Sequence, residues 1–261
     1  MLLLIDAGNT RVKWGIPRDT VFSSEQVNRW LHVGSVARGD VADLSEAWRG
    51  LPVTRVVVSN VAGPALRDAL LAAVQLVFGA EVDVLWFASQ AQLAGLRNLY
   101  KNPAQLGCDR FATAIGAHAL FPDRALIVAT CGTATTVDAV TAAGDFIGGM
   151  ILPGFGVMAT SLALNTAQLP QIHTISEVAT PFADNTTDAI IAGCIAAQTG
   201  AIERAVVRHR EQHGDVLCVM AGGAGAMLAS YLAIPCEKVD NLVLIGLHVA
   251  ASVRGFLFLD N

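Results

Sequence analysis

The first residues of this sequence that can do chemistry form a short turn near its start. Asp6-Ala7-Gly8-Asn9-Thr10 follows an apolar run at residues 2–5, and Lys13 comes soon after it. A carboxylate at the end of a buried strand can hold Mg²⁺ directly or through water, and the N–H groups of a glycine turn can cradle phosphate oxygens. Lys13 can then supply positive charge to a transferring phosphoryl group. The same residues also fit a plain hairpin turn with Asp6 at the surface, so this segment alone leaves both interpretations open.

Two further glycine turns lie in the second half of the chain. Gly132 and Thr133 open the hydroxyl-rich run Gly132-Thr133-Ala134-Thr135-Thr136-Val137-Asp138, and two such turns facing one cleft suit a triphosphate. Gly222 and Gly223 follow an apolar run at residues 216–220 and allow an adenine or a ribose to approach the backbone closely. A threonine-rich edge strand and a close helix-to-strand packing turn are the alternative interpretations of these two segments.

An acid, a base and an aromatic residue are concentrated in Tyr100-Lys101-Asn102-Pro103-Ala104-Gln105-Leu106-Gly107-Cys108-Asp109-Arg110. Asp109 lies at or near the start of a predicted helix, where free N–H groups stabilise a carboxylate. Both a catalytic role and a capping role fit that position. Arg110 can form two parallel hydrogen bonds with a substrate carboxylate, or a salt bridge at the surface.

The elements that must position these residues alternate between short β-rich runs and longer helical segments, which is the pattern of an α/β protein. Strand, small-residue glycine turn and strand occur twice, around Gly8 and around Gly132. The repetition predicts a duplicated fold with one glycine turn from each half facing a shared cleft. We expect an N-terminal lobe at residues 1–118 and a C-terminal lobe at residues 119–261.

Composition and charge exclude several classes of protein. Hydrophobic residues make up 53% of the 261 residues and charged residues 15%, which indicates a folded chain with apolar surface to spare for a subunit interface. The net charge of −5 without a basic run argues against nucleic acid as a partner. Five cysteines without a CxxC motif suggest neither a disulfide framework nor a zinc site, and fit reduced thiols in a cytoplasmic protein.

A membrane span and a signal peptide are not expected. The uncharged segment from Phe146 to Leu164 is nearly long enough to cross a bilayer, but it contains four glycines and Pro153. These residues suit a strand, a glycine turn and a helix. The N-terminus reaches Asp6 after a short apolar run that has no basic residue before it.

Taken together, these segments resemble type III pantothenate kinases, members of the acetate and sugar kinase/Hsp70/actin superfamily. The resemblance covers nearly the whole chain and follows the family's order of motifs. It rests on DAGNT with Lys13, YKNPAQLGCDR, GTATTVD, GGMILPG (148–154), TAQLP (166–170), NTTDAI (185–190) and Gly222-Gly223.

The resemblance implies an actin-like, ribonuclease H-like ATPase fold and the ATP-dependent phosphorylation of pantothenate, the first step of coenzyme A biosynthesis. Asp6 would organise Mg²⁺, and Asp109 would be the general base. Two sets of binding residues are also implied. Pantothenate would contact Tyr100, Gly107, Asp109, Arg110 and, from the neighbouring subunit of a homodimer with shared active sites, Thr186. ATP would contact Asp6, Gly8, Asn9, Thr10, Lys13, Gly132, Thr133, Gly222 and Gly223.

The sequence departs from the family at Thr130, where many members carry an acid that is associated with a monovalent cation. The resemblance therefore assigns no site for K⁺ or NH₄⁺. Two alternatives stay open at this point. The family includes proteins named Bvg accessory factors, regarded as helpers of transcription, and the fold also suits kinases of other small hydroxy or carboxylate substrates.

Overall fold

The computed structural model describes residues 1–19, 21–24, 30–172 and 180–253. The chain clusters into two compact units. Unit 1 comprises Met1–Pro122, Gly144–Phe146 and Asn241–Asn261, and unit 2 comprises Asp123–Ala143 and Ile147–Asp240.

Unit 1 is built on a sheet with the order β3-β2-β1-β4-β5. Its strands are β1 (Leu2–Ala7), β2 (Arg11–Pro17), β3 (Trp30–Ala37), β4 (Arg55–Asn60) and β5 (Asp83–Trp86). Strand β1 is antiparallel to β2 and parallel to β4, so that Asp6 lies opposite Lys13 on one side and beside Ser59 on the other. The predicted first hairpin is confirmed.

The described residues of unit 1 form four α-helices, namely α1 (Leu44–Ala47), α2 (Pro64–Phe78), α3 (Cys108–Leu120) and α7 (Leu242–Ser252). Helix α2 packs its buried face against the core that contains Trp48 and the inward side chains of β1 and β4. Helices α3 and α7 pack closely because both carry glycine at their contact. A Cβ atom on Gly246 would collide with the backbone of Ala112, and one on Gly116 would lie 2.8 Å from the Leu242 oxygen.

Smaller elements complete unit 1. Strands β6 (Gln92–Leu93) and β7 (Leu96–Asn98) are antiparallel, and β7 runs parallel to the first two residues of β10 (Asp145–Pro153). The segments Arg38–Asp43 and Pro103–Gln105 are 3₁₀ helices.

In unit 2 the strand order is β12-β11-β8-β9-β10. The strands other than β10 are β8 (Ala125–Cys131), β9 (Ala134–Val140), β11 (Val216–Ala221) and β12 (Cys236–Lys238). Strand β8 is antiparallel to β9 and parallel to β11, as β1 is antiparallel to β2 and parallel to β4. The repetition that the sequence shows around Gly8 and Gly132 is therefore a repetition of topology.

In the part of unit 2 that the structure describes, the helices are α4 (Phe155–Asn165), α5 (Thr186–His213) and α6 (Gly225–Ala229). Within the described residues, α5 has the length and apolar character of a helix that could cross a membrane, with a mean hydropathy of 1.4, and half of that stretch is buried inside the protein. Its Gln198 side chain donates to the Pro153 oxygen at 2.6 Å, and His209 Nε2 lies 3.0 Å from the Val140 oxygen. These contacts are typical of a core helix.

The strand, glycine turn and helix predicted over residues 146–164 are confirmed as β10 followed by α4. The apolar run from Leu242 to Phe256 predicts a last helix, and α7 ends within that run at Ser252, with Val253 already extended. The rest of that prediction, from Arg254 onward, lies outside the described residues.

Candidate active site

Two carboxylates of unit 1 form the electrostatic centre of the candidate site. Asp6 is the second-last residue of β1, and Asp109 lies in the first turn of α3. Burial and then the nearby Asp109 charge raise the pKa of Asp6 to about 7, against the opposing effect of Lys13. Burial likewise raises the pKa of Asp109, although the Arg110 backbone N–H and the Arg110 charge oppose it. Asp6 can hold a proton near neutral pH, and the raised pKa of Asp109 makes that carboxylate a stronger base, which suits proton transfer.

The contact between α3 and β4 explains why the two carboxylates are near each other. Ser59 lies beside Asp6 in the sheet, and its Oγ is 3.3 Å from the Cys108 Sγ. The Cys108 thiol also donates to the Asn60 oxygen at 3.6 Å. Helix α3 thus begins directly against the end of β4, and Asp109 follows Cys108 in the chain.

Gly107 is the N-cap of α3, and Asp109 lies inside the first turn. The Arg110 backbone N–H donates to Asp109 Oδ1 at 2.8 Å. A Cβ atom on Gly107 would lie 2.8 Å from that same oxygen. Gly107 therefore leaves the space in which the Asp109 carboxylate sits.

Arg110 is held between aromatic side chains. Its Nη1 donates to the Tyr100 hydroxyl at 2.9 Å, and its Cζ lies 5.8 Å from the centroids of both the Tyr100 and the Phe146 rings. Arg110 is only 7% exposed. A guanidinium that is desolvated and held in this way binds a carboxylate more strongly than one in water does.

One backbone N–H group of the glycine turn after β1 is hydrogen-bonded within the turn. The Gly8 N–H donates to the Arg11 oxygen at 3.1 Å and closes the turn. Asn9 and Thr10 are exposed, and Lys13 is half-buried on β2. Of the predicted residues around this turn, Asp6 and Lys13 are brought together directly, as facing residues of β1 and β2.

In unit 2, the structure brings three glycine turns together. The Gly132 N–H donates to the Ala134 oxygen at 3.0 Å, and the Gly154 N–H donates to the Thr133 oxygen at 2.9 Å. A Cβ atom on Gly154 would collide with the Gly132 oxygen, and one on Gly222 would collide with the backbone of Cys131. Gly222 also has a φ of 87°, which favours glycine. Gly132, Thr133 and Gly223 are exposed at this junction.

Thr186 is the first residue of α5 and is exposed. The preceding Asn185 caps the helix by accepting a hydrogen bond from the Asp188 N–H at 3.0 Å. Thr186 lies at one end of a mostly apolar groove of about 670 Å³ between α4 and α5, lined also by Met158, Leu162 and Cys194. Its neighbours in unit 2 are thus apolar side chains of α4 and α5.

The residues that could hold a divalent cation are few. Among the described residues there is no group of three or more His, Cys, Asp or Glu side chains suited to a metal ion. The pair Asp6 and Asp109 offers carboxylate oxygens, which Mg²⁺ prefers, and their mutual repulsion would be relieved by a cation. Mg²⁺ commonly uses one or two carboxylates and completes its coordination with water and phosphate oxygens, so this donor set fits it.

Sequence reasoning missed Ser59, Phe146 and Gln198 as parts of the site. Ser59 is the second-last residue of β4 as Asp6 is of β1, and a polar residue at that position of a buried strand is a signal in the sequence. Gln198 binds the oxygen of Pro153, next to Gly154, from a helix far along the chain. Phe146 and Gln198 carry no catalytic chemistry of their own, so their residue types give no signal.

The sequences of similar proteins align with most of this chain. A family model described as type III pantothenate kinase matches residues 2–208. A type III pantothenate kinase of Janthinobacterium sp. (strain Marseille) is 57% identical over 254 residues, which cover 96% of this chain and 97% of the relative. One of Herminiimonas arsenicoxydans is 54% identical over 253 residues, with coverage of 96% and 97%.

Among solved structures, a Campylobacter jejuni protein assigned to the Baf family of transcriptional activators is 18% identical, with a TM-score of 0.55 and 94% of each chain covered. A Sinorhizobium meliloti protein assigned as a 2-dehydro-3-deoxygalactonokinase is 12% identical, with a TM-score of 0.57 and coverage of 99% of this chain and 100% of that one. At these identities the likeness shows the fold alone. The predicted α/β fold of the actin-like kinases is confirmed.

Proposed function

This chain belongs to the type III pantothenate kinase family, and we propose that it transfers the terminal phosphoryl group of ATP to the primary hydroxyl of pantothenate. The products are 4′-phosphopantothenate and ADP, and the reaction is the first step of coenzyme A biosynthesis. The observation that carries the proposal is the carboxylate pair Asp6 and Asp109 beside a desolvated arginine. Phosphoryl transfer needs a positioned acceptor, a cation and a group that takes the acceptor's proton.

Asp109 is the general base in this proposal. It accepts the proton of the pantothenate hydroxyl as the bond to phosphorus forms. Its raised pKa brings its basicity closer to the working pH, which favours proton transfer. The hydrogen bond from the Arg110 backbone N–H fixes the orientation of the carboxylate.

Asp6 and Lys13 are the charged residues that bind the cation and the phosphate oxygens in this proposal. Asp6 holds Mg²⁺, directly or through water, and that cation would neutralise charge on the phosphate oxygens. Lys13, opposite Asp6 across β1 and β2, binds phosphate oxygens as a point charge. Because Asp109 is close enough to raise the pKa of Asp6, a cation at Asp6 also favours the ionised form of Asp109.

ATP is held mainly by backbone and hydroxyl groups in this proposal. The turns at Gly8-Asn9-Thr10 and Gly132-Thr133 bind the phosphates, and Gly222-Gly223 binds the adenosine part. The close packing of the Gly132, Gly154 and Gly222 turns supports this assignment, because it fixes the backbone without side chains that would block a ligand.

Pantothenate is bound through its carboxylate by Arg110, with Tyr100 and Gly107 beside it. The planar guanidinium suits a carboxylate, since both carry two parallel hydrogen-bonding atoms. This feature favours a carboxylate-bearing acceptor over a sugar.

The proposed active unit is a homodimer in which Thr186 reaches pantothenate bound to the partner subunit. Supporting it, large apolar side chains are exposed along β10 and α4, with Ile151 at 65% and Leu164 at 77% exposure, together with Ile147, Met150, Val157 and Leu162. Apolar clusters of this kind commonly mark an interface. We place the enzyme in the cytoplasm and assign it no nucleic-acid or membrane partner and no required K⁺ or NH₄⁺ ion.

The decisive experiment measures ADP release with pantothenate, glucose and acetate as parallel acceptors. We expect turnover with pantothenate alone. Turnover with glucose or acetate in place of pantothenate would assign the chain to another substrate, and no ADP release with any acceptor would favour the transcriptional role.

The shared site is tested by complementation. Thr186→Arg and Asp109→Asn subunits should each be nearly inactive alone, and co-expression should restore activity because one of the two composite sites then contains both wild-type residues. Thr187→Arg, one residue further along α5 and also exposed, serves as the control for the added charge. Co-expressed pairs without recovered activity would contradict the shared site.

A further inference from the structure

Phe146 contributes to the candidate site without offering any hydrogen-bonding or titratable group. Its side chain is fully buried. Its ring centroid lies 5.8 Å from that of Tyr100, with the ring planes tilted by 59°. The Arg110 Cζ lies 5.8 Å from the Phe146 ring centroid, within the distance at which a cation and an aromatic face attract each other. Arg110 therefore contacts two aromatic rings that also contact each other.

The position of Phe146 is set by the backbone rather than by Arg110. The first two residues of β10 pair with β7, so that Phe146 lies beside Asn98, and the Phe146 oxygen accepts the Leu99 N–H at 3.0 Å. The neighbouring Asp145 forms a 2.7 Å salt bridge with Arg97 of β7. Phe146 is thus anchored before any substrate is present.

The same small β structure also anchors Tyr100. The Asn98 side chain accepts the Tyr100 N–H at 3.1 Å and donates to the Pro103 oxygen at 3.1 Å. Two rings are therefore fixed by β7 and its neighbours, while the guanidinium that they contact comes from α3. The rings define where the Arg110 side chain lies and in which direction its N–H groups point.

We propose that Phe146 is a positioning residue, which acts through Arg110 to orient the guanidinium for the carboxylate of the acceptor. This inference rests on the proposed function, in which the acceptor carries a carboxylate. Direction matters because a carboxylate binds a guanidinium through two parallel hydrogen bonds in one plane, and a rotated guanidinium makes only one of them. Phe146 therefore determines how well the enzyme distinguishes an acceptor with a carboxylate from one without it.

The test compares pantothenate with pantothenol, in which an alcohol replaces the carboxylate. In Phe146→Leu we expect KM for pantothenate to rise by roughly 3- to 30-fold, the range of one cation–π contact. The kcat with pantothenate and the KM for ATP should change less than about twofold, because the ring makes no contact that appears only in the transition state. For pantothenol, KM as an acceptor, or its inhibition constant if it is not phosphorylated, should stay close to the wild-type value.

Phe78→Leu is the matched control, because Phe78 also stacks on an aromatic ring, that of Trp48, in the core between α2 and the sheet of unit 1. It should lower the melting temperature without changing the pantothenate-to-pantothenol ratio. If Phe146→Leu does not fold, Phe146→Met preserves side-chain volume while removing the aromatic face, and the same ratio is measured.

Three results separate the possibilities. Wild-type enzyme that does not phosphorylate pantothenate refutes the proposed function itself. If the wild type is active and KM rises equally for pantothenate and pantothenol in the Phe146 variants, Phe146 has only a structural role. That result overturns the inference. A loss confined to pantothenate supports it.

Discussion

The desolvated carboxylate Asp6 should make the folded protein less stable as pH rises through 7. Its pKa is about 7 in the folded protein and 3.8 when it is unperturbed. Between these values the folded state binds more protons than the unfolded state, so stability falls as pH rises through that window. The full difference corresponds to about 4 kcal/mol, and about 2 kcal/mol of it is lost between pH 5 and pH 7.

Replacing Asp6 by Asn removes the group that ionises while keeping its size. The free energy of unfolding of Asp6→Asn minus that of wild type is measured by urea denaturation at pH 5 and pH 8. We expect this difference to be about 3 kcal/mol larger at pH 8. The gain comes with loss of function, because Mg·ATP use should weaken and depend more steeply on Mg²⁺ concentration.

Asp145→Asn is the control for this experiment. The hydrogen bond from Arg97 lowers the pKa of Asp145, so its contribution to stability is present above the unfolded pKa and is lost only as pH falls below it. Between pH 5 and pH 8 the effect of Asp145→Asn should therefore be constant. If the stability difference for Asp6→Asn is equally constant across this range, Asp6 is not a buried, repelled carboxylate and the electrostatic account of the site is refuted.

Three further predictions concern single residues. Asp109→Asn should lower kcat by roughly 100-fold or more, measured by steady-state kinetics, without lowering the melting temperature; a stability loss at normal kcat would assign Asp109 a structural role. Gly222→Ala should destabilise the protein by about 2 kcal/mol or more, because of its φ of 87° and the Cys131 backbone beside it, and raise KM for ATP. Gly200→Ala, in an open part of α5, should be neutral or stabilising. Since Thr130 offers no carboxylate, the rate in Na⁺ should be close to that in K⁺ at constant ionic strength, and a clear rise on adding K⁺ would contradict this.

Local signals were sufficient to predict the helices whose ends are marked by special residues. Pro64 directly after Gly63, together with Gly79, predicts a helix from Pro64 to Phe78, and α2 has these bounds. Strand β3 has no such signal, because it is an edge strand whose side chains are mostly exposed. Strand β12 is only three residues long and is supported on one side by β11. Neither strand buries enough apolar surface to leave an alternating pattern.

The residues that carry charge could be found from sequence, but their proximity could not. Asp6 and Asp109 are far apart in the chain, and they approach because β4 pairs with β1 and α3 packs on β4. The close contact of α3 with α7 at Gly116 and Gly246 fixes the helix, yet isolated glycines within helices do not reveal their partner. Long-range packing of this kind has no local signature.

The two repeats of the fold place different chemistry at equivalent positions. In unit 1, Asp6 has Lys13 and Ser59 as its neighbours in the sheet. In unit 2, the corresponding Thr130 has Thr136 and Ala221. The first repeat therefore offers charges of both signs, whereas the second offers hydroxyl groups and closely packed glycine backbone.

This division has an electrostatic reason. Burial and the nearby charge of Asp109 already make the ionisation of Asp6 unfavourable, as the raised pKa of Asp6 shows. A carboxylate among the backbone groups proposed to hold the ATP phosphates would repel those phosphates unless a cation accompanied it. With threonine at position 130, the turns proposed to bind the phosphates carry no carboxylate at that position which would require such a cation.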